Sequence, residues 1–257
     1  MVWNVDPVLI SFGSVSIRYY GLCFMASFLL GYYIMAWVYK KEGKPPSTLD
    51  SLFTYMFLGT LIGARLGHVL FYQPGYYFSH PTEILKIWHG GLASHGAVIG
   101  ICLALFLFCR THKDHSLIWV MSRMCMVVAL AGFFIRIGNF FNSEIYGVPT
   151  SLPWAVTFLQ IDNLPRHPTQ LYESFSYLAI FTLLISYYNK HRAKANSYAM
   201  LGFFFVAVFT VRFLLEFTKD YQADFEQDMF FHMGQLLSLP LILIGVALMV
   251  VGKQKKR

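Results

Sequence analysis

Arg136 stands in Phe133-Phe134-Ile135-Arg136-Ile137-Gly138-Asn139-Phe140-Phe141-Asn142-Ser143-Glu144-Ile145-Tyr146-Gly147, a stretch that is apolar ahead of the arginine and rich in hydrogen-bonding groups after it. A guanidinium keeps its proton, so in an apolar setting it must find an anion, water or a substrate. Its planar donors match phosphate oxygens in a bidentate manner. Arg212 and Arg65 lie in other apolar stretches, and His95 adds an imidazole, a group able to act as a base. A base beside fixed arginines suits activation of a nucleophile while a phosphate ester departs.

These residues are carried by a chain that is 56% hydrophobic and 13% charged, with a mean hydropathy of +0.52. Soluble domains are about a quarter charged, so this is a membrane protein. A hydrocarbon core of about 30 Å takes roughly 20 helical residues. Seven segments qualify: Val15 to Tyr39, Leu49 to Phe71, Gly91 to Cys109, Leu117 to Phe141, Leu171 to Tyr188, Tyr198 to Phe217 and Met233 to Val251. The fold class is all-α, a polytopic bundle, with residues 1–257 forming one transmembrane domain. Met1 to Ser16 has neither a basic n-region nor a small-residue cleavage site, so the first helix is expected to stay. Glycines at every fourth position in Gly59 to Gly67, repeated at Gly96 and Gly100, predict close helix packing.

The net charge of +7 does not indicate a nucleic-acid partner, because the positive residues occupy alternate loops. Lys40, Lys41 and Lys44, then Arg110 and Lys113, then Lys190, Arg192 and Lys194, then Lys253, Lys255, Lys256 and Arg257 form one set. The other holds only Lys86, Arg166 and Lys219. The positive-inside rule then puts the N-terminus outside and the C-terminus in the cytoplasm. The longer loops, Gln73 to Gly90, Asn142 to Gln170 and Thr218 to His232, fall on the outer face, where function is expected. Cys23, Cys102, Cys109 and Cys125 have no disulfide or metal-site spacing and are expected to be buried free thiols. No H-E-x-x-H, Walker A or G-x-S-x-G pattern occurs, so neither a metal nor a cofactor is expected.

Depth groups the polar residues. Arg136 lies five residues from the outer end of the fourth segment, about 7 to 8 Å below it at the helical rise. Arg212, Arg65 and His95 lie at similar distances from the outer ends of their segments, as do Tyr19 and Tyr20 in the first and Gln170, Tyr172 and Glu173 in the fifth. Arg136 and Asn139 share a helix face, and so do Arg212 and Glu216, which can equally be a structural ion pair. Arg136 has no acid at i±3 or i±4 in its span, which favours an external anion. Arg123, nearer the cytoplasmic end, is expected to snorkel to the headgroups as a structural residue. A lone helical histidine such as His95 is more often a satisfied core group than a catalyst, but its flanking glycines open space. His89 and His167 are looser candidates. Arginines at headgroup depth beside a neutral base describe transfer of a group from a phospholipid. A secondary transporter is the alternative, although such proteins usually show repeats and midplane sites, neither of which is visible. A seven-helix receptor would not need so many arginines at one depth.

The run from Arg136 to Gly147 resembles the signature of the prolipoprotein diacylglyceryl transferases. Similar blocks follow in family order: Arg18-Tyr-Tyr20-Gly21, Gly63-Ala-Arg65-Leu-Gly67, His89 to Gly96, His167-Pro-Thr-Gln-Leu-Tyr-Glu173, Arg212-Phe-Leu-Leu-Glu216-Phe217 and Met233 to Ser238. The resemblance implies a bacterial inner-membrane enzyme, active towards the periplasmic leaflet. It would move the diacylglyceryl group of phosphatidylglycerol onto the lipobox cysteine of a prolipoprotein, releasing glycerol 1-phosphate. By the same resemblance Arg136 and Arg212 hold the phosphate, and His95 assists deprotonation of the thiol. Tyr20, Asn139, Glu144 and Gly147 shape the pocket, with Arg65 and Glu216 beside them. Two positions depart from the family pattern: Ile135 replaces a glycine, and Lys219-Asp220 replaces an arginine and Pro-Asp.

Overall fold

The computed structural model of the chain describes residues 1–13, 15–87, 90–221 and 231–254. Trp88, His89, residues 222–230 of the third outer loop, and Lys255, Lys256 and Arg257 lie outside the described residues. Contacts divide the chain into two compact units, Ala36–Met121 and the combination of Met1–Met35 with Ser122–Arg257.

The smaller unit takes the end of α1 (Tyr19–Glu42), all of α2 (Pro46–Phe71), the short α3 (Pro74–Ser79), α4 (Ser94–Thr111) and the start of α5 (Leu117–Phe141). Pro45 and Pro46 open α2, where a missing N–H removes no intrahelical bond. The glycine stripe forms the seam between α2 and α4. A Cβ built on Gly59 would meet the Ala104 Cβ at 2.6 Å, and one on Gly63 would meet the Gly100 Cα at 2.8 Å. One on Gly67 would meet the Gly96 Cα at 2.6 Å. Only residues without side chains let these backbones touch.

The larger unit adds α6 (Thr169–His191), α7 (Ser197–Leu215) and α8 (Met233–Gln254) to the earlier part of α1 and most of α5. Asn196 caps α7, its side chain accepting the Ala199 N–H at 3.0 Å. A second glycine contact joins α7 to α8, where a Cβ on Gly202 would meet the Gly245 carbonyl at 2.6 Å.

Each of the seven segments carries a long helix, in keeping with the all-α expectation, but the start of the first segment needs correction. Val15–Arg18 is not the start of the first helix; it is β3, paired antiparallel with β2 (Val8–Phe12). Alternating β-branched residues and Gly13 at φ +60° favour this hairpin over a helix. A small sheet in the order β1–β4–β5 joins Val2–Trp3, Val156–Phe158 and Pro165–Arg166, and Phe140, Val156 and Phe158 form a core with Trp3, Tyr146 and Leu171.

Among the described residues five helices are long and apolar enough to cross a membrane: Tyr19–Glu42, Pro46–Phe71, Leu117–Phe141, Ser197–Thr218 and Met233–Gln254. α4 is apolar but shorter. α6 is long enough, but its N-terminal part carries Thr169, Gln170, Glu173 and Ser174, all fully buried. The spacing i, i+1, i+4, i+5 puts these four on one inward face, which lowers the hydropathy of the helix without exposing a polar atom. Leu58, Ile62, Leu103, Leu183 and Leu243 are exposed on the helices. That outward apolar surface is what lipid, rather than water, solvates.

Candidate active site

The larger unit gathers most of the predicted site around the end of α5. Arg136 Nε lies 2.5 Å from Glu173 Oε2 on α6. This is a charge contact without hydrogen-bond alignment. Arg136 Nη1 donates to Asn139 Oδ1 at 3.1 Å, and Asn139 Nδ2 in turn donates to Glu144 Oε2 at 3.1 Å. Asn142 Nδ2 reaches the other Glu144 oxygen at 3.2 Å. Tyr20 packs onto Gly138, where a Cβ would come within 2.8 Å of its ring, and lies within electrostatic reach of Glu144 and Arg136.

The backbone after α5 is bent to present Glu144. Ser143 and Ile145 hold left-handed φ values of 54° and 55°, an unfavourable region for a β-branched residue. Two bonds from the start of α6 over-determine this bend: Gln170 Nε2 donates to the Glu144 carbonyl at 2.7 Å, and Thr169 Oγ1 to the Ile145 carbonyl at 2.8 Å. Glu144 itself remains exposed.

Glu173 is fully buried and serves two cations. Its Oε1 lies 3.0 Å from Lys219 Nζ and accepts from the Tyr177 hydroxyl at 3.5 Å. Lys219 also reaches Glu216 Oε2 at 3.0 Å. Gly234 leaves room for the Glu216 carboxylate, which occupies the position a Cβ would take. Gly147 makes room in a similar way. A Cβ there would strike the Thr218 carbonyl and His167, so glycine lets the Lys219 segment close against it. Arg166 ties this region down from outside, pairing with Asp162 at 2.5 Å and Asp220 at 2.8 Å and donating to the Gly147 carbonyl at 3.2 Å. Its hydrogen bonds hold the Asp162 carboxyl below the usual range.

Several expectations change. Arg136 lacks an acid on its own helix, but Glu173 supplies one from the next, so its charge does not depend on an external anion. The Arg212–Glu216 pair is replaced by Lys219–Glu216, and Lys219 is 2% exposed rather than a solvated loop residue. Among the described residues no ion pair or hydrogen bond engages the Arg212 guanidinium, which lies half-buried within electrostatic reach of Glu173 and Tyr177. Arg123 does not snorkel: at 1% exposure it donates to Ser122 and Ser197 and lies over the Tyr188 ring. Of the four thiols only Cys125 is buried, and Cys102 is exposed.

His95 and Arg65 belong to the smaller unit. His95 is exposed at the start of α4, against the rings of Phe71 and Tyr72. Arg65 is 4% exposed, and loop carbonyls take up its donors. It donates to Ile84 at 2.9 Å, Gly90 at 2.5 Å, Gly91 at 3.1 Å and Glu83, and stacks on Tyr77. Arg65 therefore organises the loop ahead of His95 and has little left to offer a ligand.

Depth in the sequence groups Glu173 with the site but gives it no partner, and Lys219 reads only as an outer-loop residue. The available signal was the polar face of α6, since a carboxylate on such an inward face requires a buried cation.

Fold and site define a helical membrane protein with a cluster of arginine, lysine and glutamate buried among its helices. The family model of prolipoprotein diacylglyceryl transferase matches residues 7–251. The phosphatidylglycerol–prolipoprotein diacylglyceryl transferase of Tolumonas auensis is 47% identical over 256 residues, covering 100% of this chain and 99% of that protein. The one from Chloroherpeton thalassium is 48% identical over 246 residues, covering 96% and 92%, and that of Bacteroides fragilis is 38% identical, covering 99% and 96%. The chain belongs to the prolipoprotein diacylglyceryl transferase family.

Proposed function

We propose that this chain transfers the diacylglyceryl group of phosphatidylglycerol to the lipobox cysteine of prolipoproteins, the first step of lipoprotein maturation. The observation that carries this reading is the match to phosphatidylglycerol–prolipoprotein diacylglyceryl transferases along the entire chain. The cysteine sulfur attacks the glycerol carbon that bears the phosphate. A carbon–sulfur bond forms, the carbon–oxygen bond to phosphate breaks, and glycerol 1-phosphate leaves with the electron pair.

Arg212, which no ion pair or hydrogen bond engages among the described residues, is the cation offered to that phosphate, and Arg136 is the second donor, oriented by Asn139 and Glu173. Tyr20, Asn139, Glu144 and Gly147 shape the pocket, with Glu216 holding Lys219 beside it. His95 is the candidate group for the thiol proton, which it takes directly or through water or a tyrosine. A free cysteine has a pKa near 8.5, so assistance in forming the thiolate accelerates attack near neutral pH. The enzyme is read as one transmembrane domain, residues 1–257, with seven spans. Its N-terminus is periplasmic and its C-terminus cytoplasmic, and it acts at the periplasmic leaflet of the bacterial inner membrane.

Purified protein, a lipobox peptide and phosphatidylglycerol are expected to yield a thioether-linked diacylglyceryl peptide and glycerol phosphate. Replacing the lipid by phosphatidylcholine should stop the reaction. Solute flux in liposomes with no modified peptide would instead favour a carrier.

A further inference from the structure

Among the described residues of the larger unit, the charges around the buried Glu173 do not cancel. Arg136, Lys219 and Arg212 are three cations, while Glu173 and Glu216 are two carboxylates. Glu144 is exposed, so water solvates its charge. One positive charge is left in excess, and the contacts identify its bearer. Glu173 commits Oε2 to Arg136 and Oε1 to Lys219, and Lys219 is closed on its other side by Glu216. Arg212 alone among the three makes no ion pair or hydrogen bond through its guanidinium among the described residues. A phosphodiester carries one negative charge, which matches that excess.

We propose that Glu173 is a positioning residue: a fixed internal anion that holds Arg136 and Lys219 and so leaves Arg212 as the cation available to the phosphate of the lipid. This rests on the transferase reading above. Full burial makes the arrangement demanding. Removing one partner of a buried pair leaves a charge uncompensated, and the displaced partner then seeks another anion. With Glu173 neutralised, Lys219 and Arg136 would compete for Glu216 and for the substrate phosphate, and Arg136 would lose its alignment with Asn139. Geometry at a reacting centre is costly to lose, since a misplacement of about 1 Å can cost on the order of 100-fold in rate.

The test compares Glu173→Gln, Lys219→Met and the double variant, in membranes and purified, with phosphatidylglycerol and a lipobox peptide. Wild-type protein that makes no modified peptide sinks the transferase reading and leaves Glu173 out of the question. With wild-type transfer established, Glu173→Gln is expected to lower kcat by about 10- to 100-fold while KM for the lipid changes far less. The double variant is expected to recover most of that loss, because it removes the lysine that would otherwise compete with Arg136 for an anion. A role confined to stability would lower the folded fraction in both variants without the recovery, and that result overturns the proposal. So does a Glu173→Gln kcat within about twofold of wild type. If Glu173→Gln does not accumulate, Lys219→Arg against Lys219→Met serves instead. Retained charge should keep kcat close to wild type while its loss lowers kcat about tenfold, and equal rates in the two overturn the proposal.

Discussion

The α2–α4 seam and the cluster at the end of α5 solve the same problem of holding helices together in opposite ways. Along the seam Gly59, Gly63 and Gly67 meet Gly96, Gly100 and Ala104, and contact is made by shape. The groove that runs beside it, about 480 Å³, is lined by apolar residues such as Leu66, Leu70, Ile99 and Leu103. At the end of α5 the contact is ionic. Arg136, Glu173, Lys219 and Glu216 come from three separate parts of the chain, and each would be a burden alone. A shape seam tolerates no added atom, whereas an ionic cluster tolerates no missing charge. Only the second can answer to an anionic ligand, because only it has a charge to exchange.

Substitutions should separate the two kinds of contact. The largest effect is expected from Glu173→Ala, which strands Lys219 and Arg136 in the interior and should cost about 3 to 5 kcal/mol of stability, read by thermal unfolding in detergent. An unchanged melting curve would mean that the cluster is hydrated and its charges are not coupled. Gly63→Leu should cost less, about 1 to 3 kcal/mol, through overpacking against Gly96 and Gly100. Salt should not modulate that loss, since no charge is involved, and a salt-sensitive loss would contradict the distinction.

The smallest effect concerns His115, in the loop between α4 and α5. It is 2% exposed, with both ring nitrogens unpartnered among the rings of Tyr39, Phe108 and Trp119. Burial lowers its pKa, with Lys44 and His112 acting in the same direction and Asp114 against them. An unfolded histidine titrates near 6.5. The smaller unit should therefore keep its full stability above about pH 6.5 and lose some as pH falls from there toward the lowered folded value, because the unfolded chain binds the proton more readily. His115→Phe should flatten that acid-side slope. An identical pH profile in the variant would show that the imidazole is not responsible.

The seam was legible in the sequence because its signal is local: one helix face repeats every four residues. A helix in each of the seven segments and the proximity of Arg136, Asn139 and Glu144 were legible for the same reason. The cluster was not, because its partners lie far apart in sequence. Periodicity on α5 reveals no acid near Arg136, and nothing local tells that Glu173 stands across from it or that Lys219 folds inward from what reads as a polar outer loop. The partners of Arg65 are hidden for a related reason. Its intramembrane setting suggested a ligand, but the carbonyls of Ile84, Gly90 and Gly91 lie on a loop whose path the sequence does not reveal. The hairpin at Val8–Phe12 and Val15–Arg18 was hidden by its hydrophobicity, which continues into α1 and reads as one long span.

The central claim is that Arg212, left without an ion pair among the described residues, meets the phosphate of the lipid during diacylglyceryl transfer. The most direct measurement is the rate of thioether formation on a lipobox peptide by Arg212→Gln beside wild type, with unfolding temperatures measured on the same samples. The expected result is a loss of about 10² to 10³ in rate, the magnitude of one charge-assisted contact made in the transition state, at an unchanged unfolding temperature. A folded Arg212→Gln enzyme that transfers the group at the wild-type rate would contradict it.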